Sequence, residues 1–410
     1  MNPDEPPGTL QSSVIPQENQ PISLDVQITE NSHAELNKNE KVPDLPSPTP
    51  GTSRQVRCAL MPIGSMNQPV ALALPGKSRS PSMFNSYPKH ASSLSETPDL
   101  PDMSEIEQFG YKKVEMLSGH TKSITAVKFS SCGKFLASSS ADKSIKIWNM
   151  KTFKCEKTLI GHVNGINDIS WSSSSQYIAS CSDDTTVRIF NVSSEKCLKI
   201  MRGHTEYVIS CCFNPQSTLV ASAGFDHKIH LWDVVSGKSL KAITAHTNPI
   251  TSVSFNNTGS IIASSSFEGC IRIWDVSNGR CLKTLKDVDH KPITFVEFTP
   301  NGKFLLSSHL TSTIKIWRIS EEKPRKYYRG HTNVDYFAHS CLSVSDGRNV
   351  ISGSEDGKIC IWDIHSKKLK QVIEDHSTTI LATAAHPTLK IIASGGLEPD
   401  HAIRIWRCDQ

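Results

Sequence analysis

Three histidine–aspartate pairs with one spacing are the first candidates for chemistry in this chain. They are His120 with Asp142, His162 with Asp184 and His204 with Asp226, each 22 residues apart. An imidazole near a carboxylate can act as a general base or belong to a metal site. Asp183-Asp184 adds a tempting carboxylate pair. Six residues beyond each aspartate stands an aromatic ring, Trp148, Phe190 or Trp232. The histidine recurs as His246, His290, His331 and His376, at spacings of 42, 42, 42, 44, 41 and 45 residues along the seven. A constellation written seven times points to a structural repeat before it points to catalysis.

Other chemistry finds no support. The chain has no G-x-x-x-x-G-K phosphate cradle, no nucleophile elbow and no H-E-x-x-H. Its 12 cysteines are scattered, without C-x-x-C or a paired Cys/His cluster. They read as free thiols in a reducing compartment, and neither a metal nor a cofactor is expected. No apolar run is long enough for a membrane helix, and MNPDEPPGTL lacks a basic-then-apolar secretory start. The positive charge is too modest and too spread to mark a nucleic-acid surface. A non-catalytic role is expected.

The elements that must carry these residues are short strands. In the third repeat, YVISCCF, LVASAG and KIHLWDV are β-branched or apolar runs, separated by Asn-Pro, Ser and Asp-His-Lys turns. One such sheet is too small to stay folded alone, and stacking sheets around an axis buries both faces of each. Tyr111 to Leu117 precedes the first repeat, where an outer strand should stand, whereas the last repeat ends at Trp406-Arg407 with three residues to follow. The N-terminal strand is therefore expected to complete the last sheet.

Residues 1–108 differ in kind. They hold 16 of the 23 prolines and no tryptophan, a composition that predicts a disordered tail. Through residue 110 the net charge is −6, from 13 acidic and 7 basic residues, and the rest carries +10, from 37 basic and 27 acidic. An acidic arm on a basic body could fold back on it; a solvated tail has the same composition. Ser47, Thr49, Ser80 and Thr97 each precede a proline, and Ala59 to Leu74 is an apolar patch that could bind a partner.

Gly-His openings and Trp-Asp closings at this period resemble the WD-repeat family, which implies an all-β, seven-bladed β-propeller over 109–410. In that family His, a strand Ser or Thr, the turn Asp and the Trp form a hydrogen-bonded chain inside each blade. That gives His120, Asp142, Trp148, His204, Asp226 and Trp232 structural roles, and the same for Asp184 and Asp356. Glu268 and Thr311 stand at the Asp position of two blades and Phe190 replaces one Trp, so these blades are expected to rely on packing.

SSSADKSIKIW (138–148), SGSEDGKICIW (352–362) and HPTLKIIAS (386–394) carry the resemblance further. They are similar to the WD-repeat scaffold subunits of histone H3 lysine-4 methyltransferase complexes. The resemblance implies nuclear residence, with the cytoplasm also open, a propeller that is monomeric within a larger complex, and two peptide sites. One is the mouth of the central channel, where the subfamily holds an arginine between two Phe rings. Counting five residues beyond each opening His, or one before each turn acid, gives most of the residues there, and the resemblance adds Asp168, Pro249, Phe337 and His339. Ala141, Asn167, Asp168, Asp183, Phe225, Pro249, Thr251, Phe267, Phe295, Tyr336 and Phe337 surround it, and Ile209 and His339 replace the two rings. The other site receives an acidic-apolar peptide on Asn301, Phe304, Ile316, Lys326, Leu342 and Val344. The partners implied are other methyltransferase-complex subunits and the histone H3 tail. The departures at Ile209 and His339 also admit a diverged adaptor for another assembly, a ubiquitin ligase or an RNA-processing complex.

Overall fold

The structure is a computed structural model. It describes residues 110–409, except 287–289, 344 and 346. The proline-directed Ser47, Thr49, Ser80 and Thr97, the 59–74 patch, Asp289 and Val344 lie outside the described residues.

The described chain is all strand, in seven four-stranded antiparallel sheets. We number the blades by their inner strands: Ile124–Phe129, Ile166–Trp171, Val208–Phe213, Ile250–Phe255, Ile293–Phe298, Ser340–Leu342 and Ile380–Ala385. Blade 3 continues outward through Leu219–Gly224, Lys228–Asp233 and Ser239–Thr244. Its three inner strands are almost wholly buried, so the usual in–out alternation is lost there. Only the outer strand, with side chains on the rim, keeps exposed positions. The turn joining the second and third strands places one residue at positive φ, such as His227 at +62° or Gly269 at +76°. At Gly269 glycine is required, because a Cβ would stand 2.6 Å from the His290 backbone.

The core consists of seven layers between neighbouring blades. Val208, Phe213 and Trp232 of blade 3 meet Ala179, Ile189 and Met201 of blade 2. In every layer the closing aromatic faces the preceding blade: Trp148 against blade 7, Trp274 against blade 3, Trp406 against blade 6. Phe190 fills the same place against blade 1. Its apolar contact survives the substitution and only the indole N–H is lost. The ring closes where Lys112–Leu117 pairs with Ile403–Arg407. Gln371 exchanges two hydrogen bonds with the Tyr111 backbone, and Lys113 pairs with Asp375 at 2.7 Å.

The polar chains follow geometry rather than the residue pattern. In blade 3, His204 Nδ1 lies 2.8 Å from Asp226 Oδ2 and its Nε2 2.7 Å from Ser222 Oγ, which accepts from Trp232 Nε1 at 2.7 Å. Blades 1 and 7 repeat this through His120, Asp142 and Trp148, and through His376, Asp400 and Trp406. The expectation that blade 4 relies on packing is corrected: Glu268 reaches His246, and His246 and Trp274 both meet Ser264. Blade 2 likewise keeps His162–Asp184 and His162–Ser180. In blade 5, with Thr311 at the acid position, a strand histidine takes over. His309 Nε2 meets Ser307 Oγ at 2.8 Å, and Trp317 donates to the same hydroxyl.

Blade 6 reverses the expectation in the other direction. Asp356 is turned outward with a 42% exposed side chain. Among the described residues both nitrogens of buried His331 lack a partner, and Trp362 donates to the Arg329 carbonyl. The serine follows the opening histidine by 18 residues in blade 3 and by 21 in blade 6, and the Ser352 hydroxyl donates instead to the Gly353 carbonyl at 2.9 Å.

Candidate peptide-binding sites

Between blades 5 and 6, on the side of the inner-strand ends, lies a cleft of about 490 Å³. Phe304 begins the second strand of blade 5, Ile316 lies on the third, and Lys326 on the outer one. Leu342 ends the short inner strand of blade 6, and Asn301 sits in a turn. These five expected residues line the one cleft. The sixth, Val344, lies outside the described residues. Its floor is apolar, from Pro300, Phe304, Ile316, Leu342 and Ile364, and Lys326, Arg325 and His365 add basic or titratable groups. The Lys326 ammonium donates to the Ile364 carbonyl at 2.6 Å, which fixes the cation over the floor. Apolar floor and basic rim together suit an acidic-apolar peptide.

The channel mouth is built differently from the expected one. Asn167 and Thr251 each donate to the inner strand of the next blade, at Val208 and Ile293, and Asn167 also donates to Asp183. Asp168 accepts from Ser210 Oγ and the Cys211 amide, joining blades 2 and 3. These side chains hold blades together. Ala141, Ile209, Phe295 and Phe337 are buried, and Phe225, Pro249, Phe267, Tyr336 and His339 are half-buried. Phe267 meets Phe225 at 6.3 Å and Phe337, two blades away, at 5.5 Å. Phe337 therefore bridges the mouth.

Strand register also moves two positions. Every inner strand but that of blade 6 has a bulge at its second residue, Ile209 in blade 3 and Thr251 in blade 4. In blade 5 the bulge residue is Thr294, because its loop is one residue shorter, so Phe295 does not match Ile209. By register Phe295 and His339 share the next level of the channel with Asp168. Their rings pack at 4.9 Å and 32°. A guanidinium between two rings needs about 7 Å between centroids, two contact distances. The gap is filled by the protein itself. Burial, with Lys128 nearby, pushes His339 down to about 3, so it stays neutral at physiological pH.

One level deeper stand Lys128 and Glu297, which the sequence did not single out. They line cavities of about 230 Å³ on the channel axis. Lys128 Nζ lies 5.7 Å from the Phe295 centroid. Burial would pull this ammonium down, but Asp168 and Glu297 outweigh it and hold its pKa above the ordinary lysine value. An internal cation thus already occupies the aromatic face that a peptide cation would need. The signal for these residues is the inner-strand register, which counting from the opening histidine does not provide.

A family profile described as the WDR5 beta-propeller domain matches residues 116–407. The chain is also similar to a WD repeat-containing protein WDS homolog of Arabidopsis thaliana, 33% identical over 21% of this chain and 16% of that one. Human WD repeat domain-containing protein 83 is 35% identical over 20% of this chain and 24% of its own length. A guanine nucleotide-binding protein subunit beta-1 of Caenorhabditis briggsae is 33% identical over 18% and 22%. The matched stretch spans less than a quarter of each of these relatives. With a seven-bladed ring and a profile covering nearly all of it, the chain belongs to the WDR5 β-propeller family of WD-repeat proteins.

Proposed function

We propose that this protein is a non-catalytic scaffold of a histone H3 lysine-4 methyltransferase complex, and that its principal dock is the cleft between blades 5 and 6. The observation that carries the reading is the convergence of Asn301, Phe304, Ile316, Lys326 and Leu342 on that cleft. The partner is the acidic-apolar segment of another complex subunit, and the work is done in the nucleus. The channel mouth is the weaker site. Phe337 and the Phe295–His339 pair fill the space that an arginine side chain would enter, so a histone H3 tail is held poorly there.

The packed mouth also favours a second reading, a diverged adaptor for a ubiquitin ligase or an RNA-processing assembly. Reconstitution separates the two. Purified methyltransferase-complex subunits should co-elute with the full-length protein and should no longer do so with Lys326→Glu. Failure of the wild type to co-elute with any of them would favour the adaptor.

A further inference from the structure

Four residues after the turn acid, three blades place an arginine against that acid. Arg188 lies 3.8 Å from Asp184, Arg272 3.1 Å from Glu268 and Arg404 2.7 Å from Asp400. Blade 3 has His230 there, with Nε2 4.0 Å from Asp226 Oδ2. That nitrogen is buried and without a hydrogen-bond partner, on a residue only 5% exposed.

With Ser239 donating to the Lys241 carbonyl, its oxygen can accept from His230 Nδ1, the tautomer that leaves a lone pair on Nε2 for a ligand. Asp226 lacks the arginine that stands beside the acid in blades 2, 4 and 7. His230 stacks on Trp232 at 5.1 Å and 14°, which holds it in place. The ligand atoms of His204, Asp226 and His230 all lie within 4.8 Å of one another. Above them is Gly203, itself exposed, where a Cβ would come 3.3 Å from His230 Cε1.

We propose that blade 3 carries a binding site for a borderline divalent transition metal of the Zn²⁺ class, with His230 Nε2, Asp226 Oδ2 and His204 Nδ1 as ligands and water in the fourth position. Two imidazoles and one carboxylate suit this class. The metal supplies the positive charge that arginine supplies in blades 2, 4 and 7. Bonds of about 2.0–2.1 Å place tetrahedral ligands roughly 3.3 Å apart. The 4.0 Å separation must therefore close and the 2.8 Å His204–Asp226 contact must open by comparable amounts. His204 Nδ1 gives up its proton to solvent as the metal takes its place between nitrogen and carboxylate. Blade 4 also groups His246, Glu268 and Cys270, but Arg272 already neutralises Glu268 there.

The test is titration of the metal-free, full-length protein with Zn²⁺ against a chromophoric chelator, and with Co²⁺ for its visible spectrum. His230→Arg and His230→Lys install side chains that sibling blades carry at this position, and their thermal unfolding confirms that they fold. The wild type should bind one more Zn²⁺ than either variant, with about one proton released. It should also show four-coordinate Co²⁺ bands, without a thiolate band, that both variants lose. Equal uptake by all three proteins, through thiols or adventitiously, would overturn the assignment, as would no uptake by the wild type.

Discussion

At the scale of single residues, similar repeats differ in what their side chains do. Ser222 accepts from Trp232 and meets His204, so Ser222→Ala strands two buried groups and should cost about 2–4 kcal/mol. Ser352 meets neither His331 nor Trp362, so Ser352→Ala should cost about 1 kcal/mol or less. Urea unfolding of both variants measures the contrast, and equal losses would contradict the unwired blade 6.

The pH dependence follows from the same side chains. Burial pushes His331 down to about 4 and His309 to about 3. Unfolded histidines take up protons near about 6.5, so below that pH the unfolded state binds more protons. Stability is therefore lost as pH falls from about 6.5 towards 4. For Asp142, Asp184 and Asp400 burial would raise the carboxyl, yet the partner histidine's hydrogen bond and charge outweigh it and hold it below the usual range. Their contribution is present above about 4 and lost on further acidification. His331→Leu should reduce the slope of stability between pH 6.5 and 4 by up to about 1.4 kcal/mol per pH unit, one proton's worth. An unchanged slope would mean that His331 is not held neutral.

At the scale of elements, each blade is an incomplete unit closed by its neighbour. Removing residues 111–117 strips blade 7 of its outer strand, together with the Gln371 and Asp375 contacts. Calorimetry should show a lower unfolding temperature for the whole ring, and an unchanged one would exclude the closure. At the mouth, an arginine-containing histone peptide should bind the wild type weakly. Ile209→Phe/His339→Phe adds two rings at different levels without opening the Phe295–His339 gap, so binding should stay weak in a fluorescence titration. Tight wild-type binding would show that Phe337 and His339 move aside.

Much of this was readable in the chain. Period, strand order and the closing strand follow from Gly-His and Trp marks, because each mark sits at a fixed place in the sheet. The cleft was readable too, since Phe304, Ile316 and Lys326 lie on regular strands without insertions. The mouth was not, because loops of unequal length shift the count by one residue in blade 5 and by two in blade 6. Lys128 and Glu297 were missed for a related reason: they look like ordinary charges on a strand until the ring turns them into a shared channel.

At the scale of the whole molecule, an apolar cleft with a basic rim lies between blades 5 and 6, and the channel mouth is filled by the protein's own side chains. In the proposed scaffold both features would direct recognition to the side of the ring between blades 5 and 6. Peptide affinity there should rest on a few central contacts, with Phe304 and Ile316 supplying the floor and Lys326 the charge. The most direct measurement is calorimetric titration of an acidic-apolar peptide from a methyltransferase-complex subunit into the wild type, Lys326→Glu and Phe304→Ala. Saturable binding by the wild type, weakened at least tenfold in both variants and unchanged by Ile209→Phe/His339→Phe, is the predicted result. Equal affinity across all four proteins, or loss only on altering the channel mouth, would contradict it.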